Sequence, residues 1–243
     1  MRVVIVDDEK LARSVLREYL QKHTDVEIVA DCANGLEAVK AVTEQKPDLI
    51  FLDIQMPRLD GFEVLELVGR EVNVIFVTAY DKYALRAFDV HAVDYLLKPF
   101  SAERLAEALD HARAKIERNE RPPVSELTAA ARAPGAKLER VLIRDGSHVH
   151  VIPVPKIDYI EAQDDYVAYR SEGKQYLKQQ TLNEVEGTLD TTRFVRIHRS
   201  YILNVDRLAK LELYAKDSHA AILQDGTRLP VSRTGYSRLS SLL

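Results

Sequence analysis

The chain has 243 residues, 46% of them apolar and 30% charged, which suits a soluble two-domain protein and argues against a disordered or fibrous one. No run approaches the roughly 20 consecutive apolar residues of a bilayer-spanning helix, the opening Met1-Arg2-Val3-Val4-Ile5 leaves no room for a signal peptide, and a lone Cys32 cannot form an internal disulfide, so no membrane association and a cytoplasmic location are expected. The net charge of −4 is uneven: residues 1–120 carry −7 and residues 121–243 carry +3, a weak pointer to nucleic acid for the second half.

In chain order, apolar runs at 2–7, 26–32, 48–53, 73–78 and 93–97 read as buried strands. Between them, residues recur at helical spacing: Ala12, Val15, Leu16, Tyr19 and Leu20, then Leu36, Val39 and Val42, then Phe62, Leu65 and Val68. A fourth helix is expected over about 81–89. A fifth covers 101–118, with Ser101 as its N-cap and Leu105, Ala108, Leu109 and Ala112 on one face. Strands alternating with helices imply a parallel sheet covered on both faces, and five units make a doubly wound α/β fold of flavodoxin-like strand order 2-1-3-4-5.

Residues 119–137 break this pattern. The tail of Glu117-Arg118-Asn119-Glu120-Arg121-Pro122-Pro123 and the Ala-rich sequence to Gly135 have little to bury and read as a linker between a domain at 1–118 and another at 138–243. The second half changes period. Short alternating runs at 141–144, 148–152, 157–162, 166–169, 194–197, 208–213, 220–223 and 228–231, with an Asp145-Gly146 turn, predict a mostly antiparallel β domain. One helix is expected at 181–189.

The polar ends of the buried strands carry the chemistry. Asp7 and Asp8 close the first strand, Asp53 the third, Thr78 the fourth, and Lys98 follows the fifth. In this strand order the first and third strands are neighbours where the order reverses, and ligands bind outside their carboxyl ends. Three carboxylates there repel one another unless a hard divalent cation joins them, and Mg²⁺ suits an all-oxygen set of Asp8, Asp53 and the backbone carbonyl of Gln55, with Asp7 alongside. Mg²⁺ also screens an incoming phosphoryl group, so Asp53 can act as its acceptor, with Lys98 and Thr78 binding the phosphoryl oxygens. Taken singly, each residue also fits a turn or a cap; their joint order favours the site. A haloacid-dehalogenase-type phosphatase shares this chemistry, but it places a second acid two residues after the nucleophile, where this chain has Gln55.

The constellation resembles the receiver domain of bacterial response regulators, the CheY-like superfamily, over residues 1 to about 118. The matching segments are Val-Asp-Asp-Glu at 6–9, Leu-Asp-Ile-Gln-Met-Pro with Asp60-Gly61, Val-Thr-Ala at 77–79 and Tyr-Leu-Leu-Lys-Pro at 95–99. The resemblance implies phosphorylation of Asp53 by a histidine kinase, coupled rearrangement of Thr78 and Tyr95, and dimerisation through the face around 80–110. It implies a regulator that catalyses only its own phosphorylation and dephosphorylation and is otherwise not an enzyme.

In the second half, Arg193-Phe194-Val195-Arg196-Ile197-His198-Arg199-Ser200-Tyr201 concentrates cations and a hydroxyl around apolar alternation. Those positions suit phosphate contacts, and Arg199 also suits guanine; a charged sheet edge is the plainer alternative. With Ile-Asp-Tyr-Ile-Glu-Ala at 157–162 and Leu-Pro-Val-Ser-Arg at 229–233, the segment resembles a LytTR DNA-binding domain over about 138–243. The resemblance implies a ten-stranded β fold that reads successive major grooves of double-stranded DNA, usually at direct repeats. It implies contacts from the loop at Asp164, Asp165 and Tyr166, from His198, Arg199 and Ser200, and from Ser232 and Arg233. Arg196, Lys174 and Lys178 are lesser candidates for backbone contact. An independent enzyme is disfavoured by the lack of a nucleophile motif or a His-Glu metal signature, and an RNA-binding output by the lack of a platform of stacking aromatics.

Overall fold

The apolar runs of the first half become five parallel strands: β1 (Arg2–Val6), β2 (Glu27–Cys32), β3 (Leu49–Leu52), β4 (Asn73–Thr78) and β5 (Asp94–Leu97). They pair in the order β2-β1-β3-β4-β5, as the spacing predicts. The computed structural model describes residues 1–69, 72–84, 87, 90–118, 138–215 and 218–242. The chain divides into two units, Met1–Pro134 with Arg144–Val149 and Gly135–Ile143 with His150–Leu243. The expected linker at 119–137 lies outside the described residues.

Alternation along the strands sends side chains to both faces of the sheet. Val3, Ile5, Phe51, Ile75, Val77 and Leu96 meet Leu16 and Leu20 of helix α1 (Lys10–Leu20) and Leu105, Ala108, Leu109 and Ala112 of helix α4 (Ala102–Glu117) in one core. Val4, Val6, Ile50, Leu52 and Phe76 take the alternate positions and are equally buried. On that side lie α2 (Gly35–Gln45) and α3 (Gly61–Val68), where the Phe62 ring sits 5.0 Å from Phe76. Burying each such side chain contributes about 1.5–3 kcal/mol, which is why buried parallel strands read as unbroken apolar runs.

Caps fix where the helices start. The Asn34 side chain accepts from the Glu37 amide, Asp60 and Glu63 form a reciprocal capping box, and the Ser101 hydroxyl accepts from the Arg104 amide as expected. Of the helix expected over 81–89, Asp81–Tyr83 is a 3₁₀ turn, and residues 85, 86, 88 and 89 lie outside the described residues.

Among the described residues, ten strands lie between positions 138 and 243. The expected runs become β6 (Arg140–Asp145), β7 (His148–Pro153), β8 (Ile157–Gln163), β9 (Tyr166–Ser171), β11 (Phe194–His198), β13 (Leu208–Ala215), β14 (Ser218–Leu223) and β15 (Arg228–Val231). Two further strands were not anticipated as separate elements, β10 (Lys174–Gln179) and β12 (Tyr201–Asn204). The Lys174–Gln179 run is a partly exposed edge strand, so it lacks a strong apolar signature. The larger sheet runs β10-β9-β8-β12-β11, and a smaller one β13-β14-β15.

Helix α5 (Leu182–Glu186) is shorter than the expected 181–189 and opens with a Thr181–Glu184 capping box. A last helix, α6 (Arg233–Ser240), was not anticipated; only Gly235 and Leu239 are buried in it, so its apolar period is weak. It lies across β11 at Gly235, where an added Cβ would come within 1.9 Å of the Ile197 carbonyl oxygen.

Candidate functional site

Strand register assembles the acidic site. Val6 pairs with Leu52, so the next residues, Asp7 and Asp53, leave the sheet side by side. Their amides are held by the Cys32 and Val6 carbonyls at 3.1 and 2.9 Å. Leu97 pairs with Thr78, and the Lys98 amide donates to the Thr78 carbonyl at 2.8 Å, which brings the lysine to the same end of the sheet. Gly61 makes the close approach behind Asp53 possible: an added Cβ there would lie 2.5 Å from the Asp53 carbonyl oxygen.

The Lys98 Nζ stands 2.6 Å from Asp7 Oδ2 and 3.4 Å from Asp53 Oδ2. One carboxylate oxygen from each of Asp7, Asp8 and Asp53 lies within 4.8 Å of the others. Asp7 and Asp53 are buried, and Asp8 faces solvent. Burial pushes the Asp7 carboxyl up, against the Lys98 ammonium and the Glu9 amide, and the neighbouring Asp53 charge raises it further. Burial alone would depress Lys98; its hydrogen bond to Asp7 and the charges of Asp53 and Asp7 outweigh that and hold its pKa above the usual value. This all-oxygen donor set, anionic and open on the Asp8 side, fits a hard divalent cation. Beside Asp8 opens a hollow of about 460 Å³ lined also by Gln55, Met56, Phe62 and Tyr83, where the Gln55 amide donates to the Tyr83 hydroxyl at 3.0 Å.

Thr78 is fully buried, and among the described residues its Oγ1 has no hydrogen-bond partner. A buried hydroxyl without a partner costs about 1–3 kcal/mol, so the position favours a bound acceptor. Tyr95 is half-buried; its hydroxyl donates to the Tyr80 carbonyl, two residues beyond Thr78, and burial pushes its phenol up to about 12.

In the second unit a two-residue turn, Arg199-Ser200, joins β11 to β12. His198 Nδ1 accepts from the Ser200 amide at 3.2 Å, which leaves Nε2 as the protonated nitrogen of the neutral ring. Burial and the Arg199 charge depress the His198 pKa, favouring that neutral form. The Arg199 side chain is exposed, and among the described residues its guanidinium has no hydrogen-bond or ion-pair partner. Arg233 is exposed at the first position of α6. Because Gly235 seats that helix on Ile197, the start of α6 and the end of β11 are adjacent. Tyr166 is 46% exposed beside the turn at Asp164 and Asp165.

Residues 3–110 match the response regulator receiver domain, and residues 147–243 match the LytTr DNA-binding domain. The sensory transduction protein LytT of Bacillus anthracis is 32% identical over 252 residues, covering all of this chain and 99% of that protein. The transcriptional regulatory protein BtsR of Escherichia coli is 37% identical over 96% of this chain and 95% of its own. The chain belongs to the LytTR family of response regulators. Among solved structures, the response regulatory domain of MrkE from Klebsiella pneumoniae is 35% identical, with a TM-score of 0.46, and covers 49% of this chain and 99% of its own. As a response regulator the protein is a transcriptional regulator of a two-component system, with a sensor kinase upstream and DNA as the partner of its second domain.

This response regulator brings Asp7, Asp8, Asp53 and Lys98 together as its sequence predicts, with Thr78 at the same end of the sheet. Two predicted DNA-contacting groups are engaged within the protein. The Ser232 hydroxyl caps α6 at the Gly235 amide and donates to the Ile197 carbonyl at 3.0 Å. The Arg196 guanidinium is held by Glu186, Asn183 and the Arg199 carbonyl. Sequence reasoning missed the structural demand at Gly61, read only as part of a turn, and at Gly235; a glycine in the first turn of a helix was the available signal.

Proposed function

We propose that Asp53 accepts a phosphoryl group from the histidine of its sensor kinase, and that the acyl phosphate promotes dimerisation and sequence-specific DNA binding by the C-terminal domain. An Asp53 oxygen attacks phosphorus as the phosphorus–nitrogen bond breaks and the departing imidazole takes up a proton. Lys98, within 3.4 Å of Asp53, neutralises the phosphoryl oxygens, and the buried Thr78 hydroxyl donates to one of them. Asp7, Asp8, Asp53 and the Gln55 carbonyl would hold Mg²⁺, which when bound screens the charge between the acid cluster and the phosphoryl group. The single observation that carries this reading is the pairing of a lysine in contact with Asp53 with a buried hydroxyl that has no partner among the described residues.

The modification adds about −1.5 to −2 charges beside Thr78. Movement of that hydroxyl toward the phosphoryl group vacates space that the Tyr95 ring can fill once it leaves the Tyr80 carbonyl. The face around 80–110, described only in part, is the proposed dimer surface. Two copies would then place two DNA-binding domains on paired direct repeats, with Arg199, His198, Ser200, Arg233 and Tyr166 nearest the duplex and Ser232 holding the start of α6. A cytoplasmic site of action belongs to the same proposal.

The test is binding of the full chain to duplex DNA enriched from a randomised pool, with and without acetyl phosphate and Mg²⁺. Acetyl phosphate should tighten wild-type binding. In Asp53→Asn the increment should vanish while basal binding persists; an increment of wild-type size in that variant overturns the proposal.

A further inference from the structure

Arg196 lies on β11, three residues before Arg199, and its guanidinium is engaged within the protein. Nη1 is 2.9 Å from Glu186 Oε2 and also donates to Asn183 Oδ1, while Nη2 donates to the Arg199 backbone carbonyl at 2.8 Å. Its side chain is 22% exposed. A guanidinium spent on two side-chain acceptors and a carbonyl, and neutralised by a carboxylate, has little left for a DNA phosphate.

Glu186 and Asn183 stand on α5, a short helix held by its capping box and by buried Leu182 and Val185. The other oxygen of Glu186 lies 3.5 Å from Arg238 of α6. One carboxylate on a packed helix therefore reaches both elements that carry the exposed arginines. Through Arg196 it fixes the turn of Arg199, and through Arg238 it steadies the helix that begins at Arg233. From the other side, the Ser200 carbonyl accepts from the Ala162 amide at 2.9 Å. The turn is held from both flanks, and the Arg199 side chain is left outside the hold.

We propose that Glu186 and Arg196 form a clasp of positioning residues that sets the aim of Arg199 for sequence readout, and that Arg196 makes no phosphate contact. Base readout tolerates little misplacement of a bidentate arginine, whereas phosphate attraction is nearly indifferent to it. The clasp thus acts on specificity. This proposal rests on the reading that the Arg199 turn meets DNA.

The experiment uses the full chain, a duplex enriched from a randomised pool by the wild-type protein, and a shuffled duplex of the same composition. Arg199→Ala tests the underlying reading first: if it keeps full preference for the enriched duplex, the turn does not read DNA and the clasp has no purpose. With that preference lost, Arg196→Ala should cut the ratio of enriched to shuffled affinity on the order of tenfold while leaving the salt slope unchanged. Arg196→Ala added to Arg199→Ala should lose little more, because Arg196 acts through Arg199. Glu186→Gln removes a negative charge from a DNA-facing domain, which by charge alone would tighten binding; the clasp requires that it weaken binding to the enriched duplex several-fold. This exposed-side substitution also guards against misfolding, which circular dichroism would report for Arg196→Ala. A salt slope reduced by about 0.9 in Arg196→Ala, with equal losses on both duplexes, would make Arg196 a phosphate contact and overturn the proposal. Tighter specific binding by Glu186→Gln would do the same.

Discussion

Replacing Gly235 by alanine tests the seating of α6 on β11 and, through it, the adjacency of the two arginine clusters. The added Cβ would lie 1.9 Å from the Ile197 oxygen, 2.5 Å from its carbonyl carbon and 2.7 Å from its Cα. Real Cβ contacts do not fall below 3.0 Å, so helix and strand must part by about 1.1 Å, the difference between 3.0 and 1.9. Alanine favours the helix by about 1 kcal/mol over glycine. Overpacking costs about 1–3 kcal/mol, and the upper end applies because the obstacle is backbone that cannot rotate away. The net is a loss of about 2 kcal/mol, or roughly 30-fold in the opening equilibrium. Hydrogen-exchange mass spectrometry should read this as lost protection in the peptides of β11 and α6, with the receiver helices unchanged. Binding to the enriched duplex should fall with it. Gly187→Ala is the control: its nearest atoms are 3.7 Å away and its φ is −66°, so stability should hold or rise by about 0.4–1 kcal/mol. Wild-type protection in Gly235→Ala would refute the close packing.

Three further outcomes follow from burial and pairing. Burial pushes the Cys32 thiol up to about 12, so a thiol-alkylating reagent at neutral pH should label it only on unfolding; labelling of the native protein at the rate of a free cysteine contradicts this. Burial would raise the Asp94 carboxyl, but hydrogen bonds from Arg104, the Tyr95 amide and His111 prevail and hold it below the usual range. Its contribution is therefore complete above the unfolded value of about 3.9 and is lost as pH falls through the lower folded value. Arg104→Met should lower receiver stability by about 1 kcal/mol at neutral pH, discounted for the partly exposed guanidinium, and the deficit should close in acid; a pH-independent deficit sinks the assignment. Burial lifts the phenols of Tyr95 and Tyr201 to about 12, so ultraviolet titration should find late-ionising tyrosines, one fewer in Tyr201→Phe. No change in that count would contradict the Tyr201–Glu161 hydrogen bond.

Much of the receiver was legible because each buried parallel strand is an uninterrupted apolar run, and each functional group stands at the end of one. Asp7, Asp53 and Lys98 needed only the strand order to converge. The second domain was harder to read. The Lys174–Gln179 edge strand does not alternate, having only adjacent Tyr176 and Leu177 between polar pairs that include two lysines, and the Arg199-Ser200 turn carries no glycine or proline to mark it. The Arg233–Ser240 helix buries only two residues, so its periodicity hardly registers.

Composition and period by themselves determined two domains of different class, the apolar cores that drive each, and the acid, hydroxyl and lysine that meet at one sheet end. Those features are local, because burial acts on each residue through its own side chain. Which cations stay exposed was decided by tertiary structure alone. Arg196 and Arg199 are the same residue type three positions apart, and nothing between them in sequence distinguishes a held guanidinium from an exposed one. The difference comes from Glu186, on a helix ten residues upstream of Arg196, whose carboxylate takes one guanidinium and leaves the other exposed.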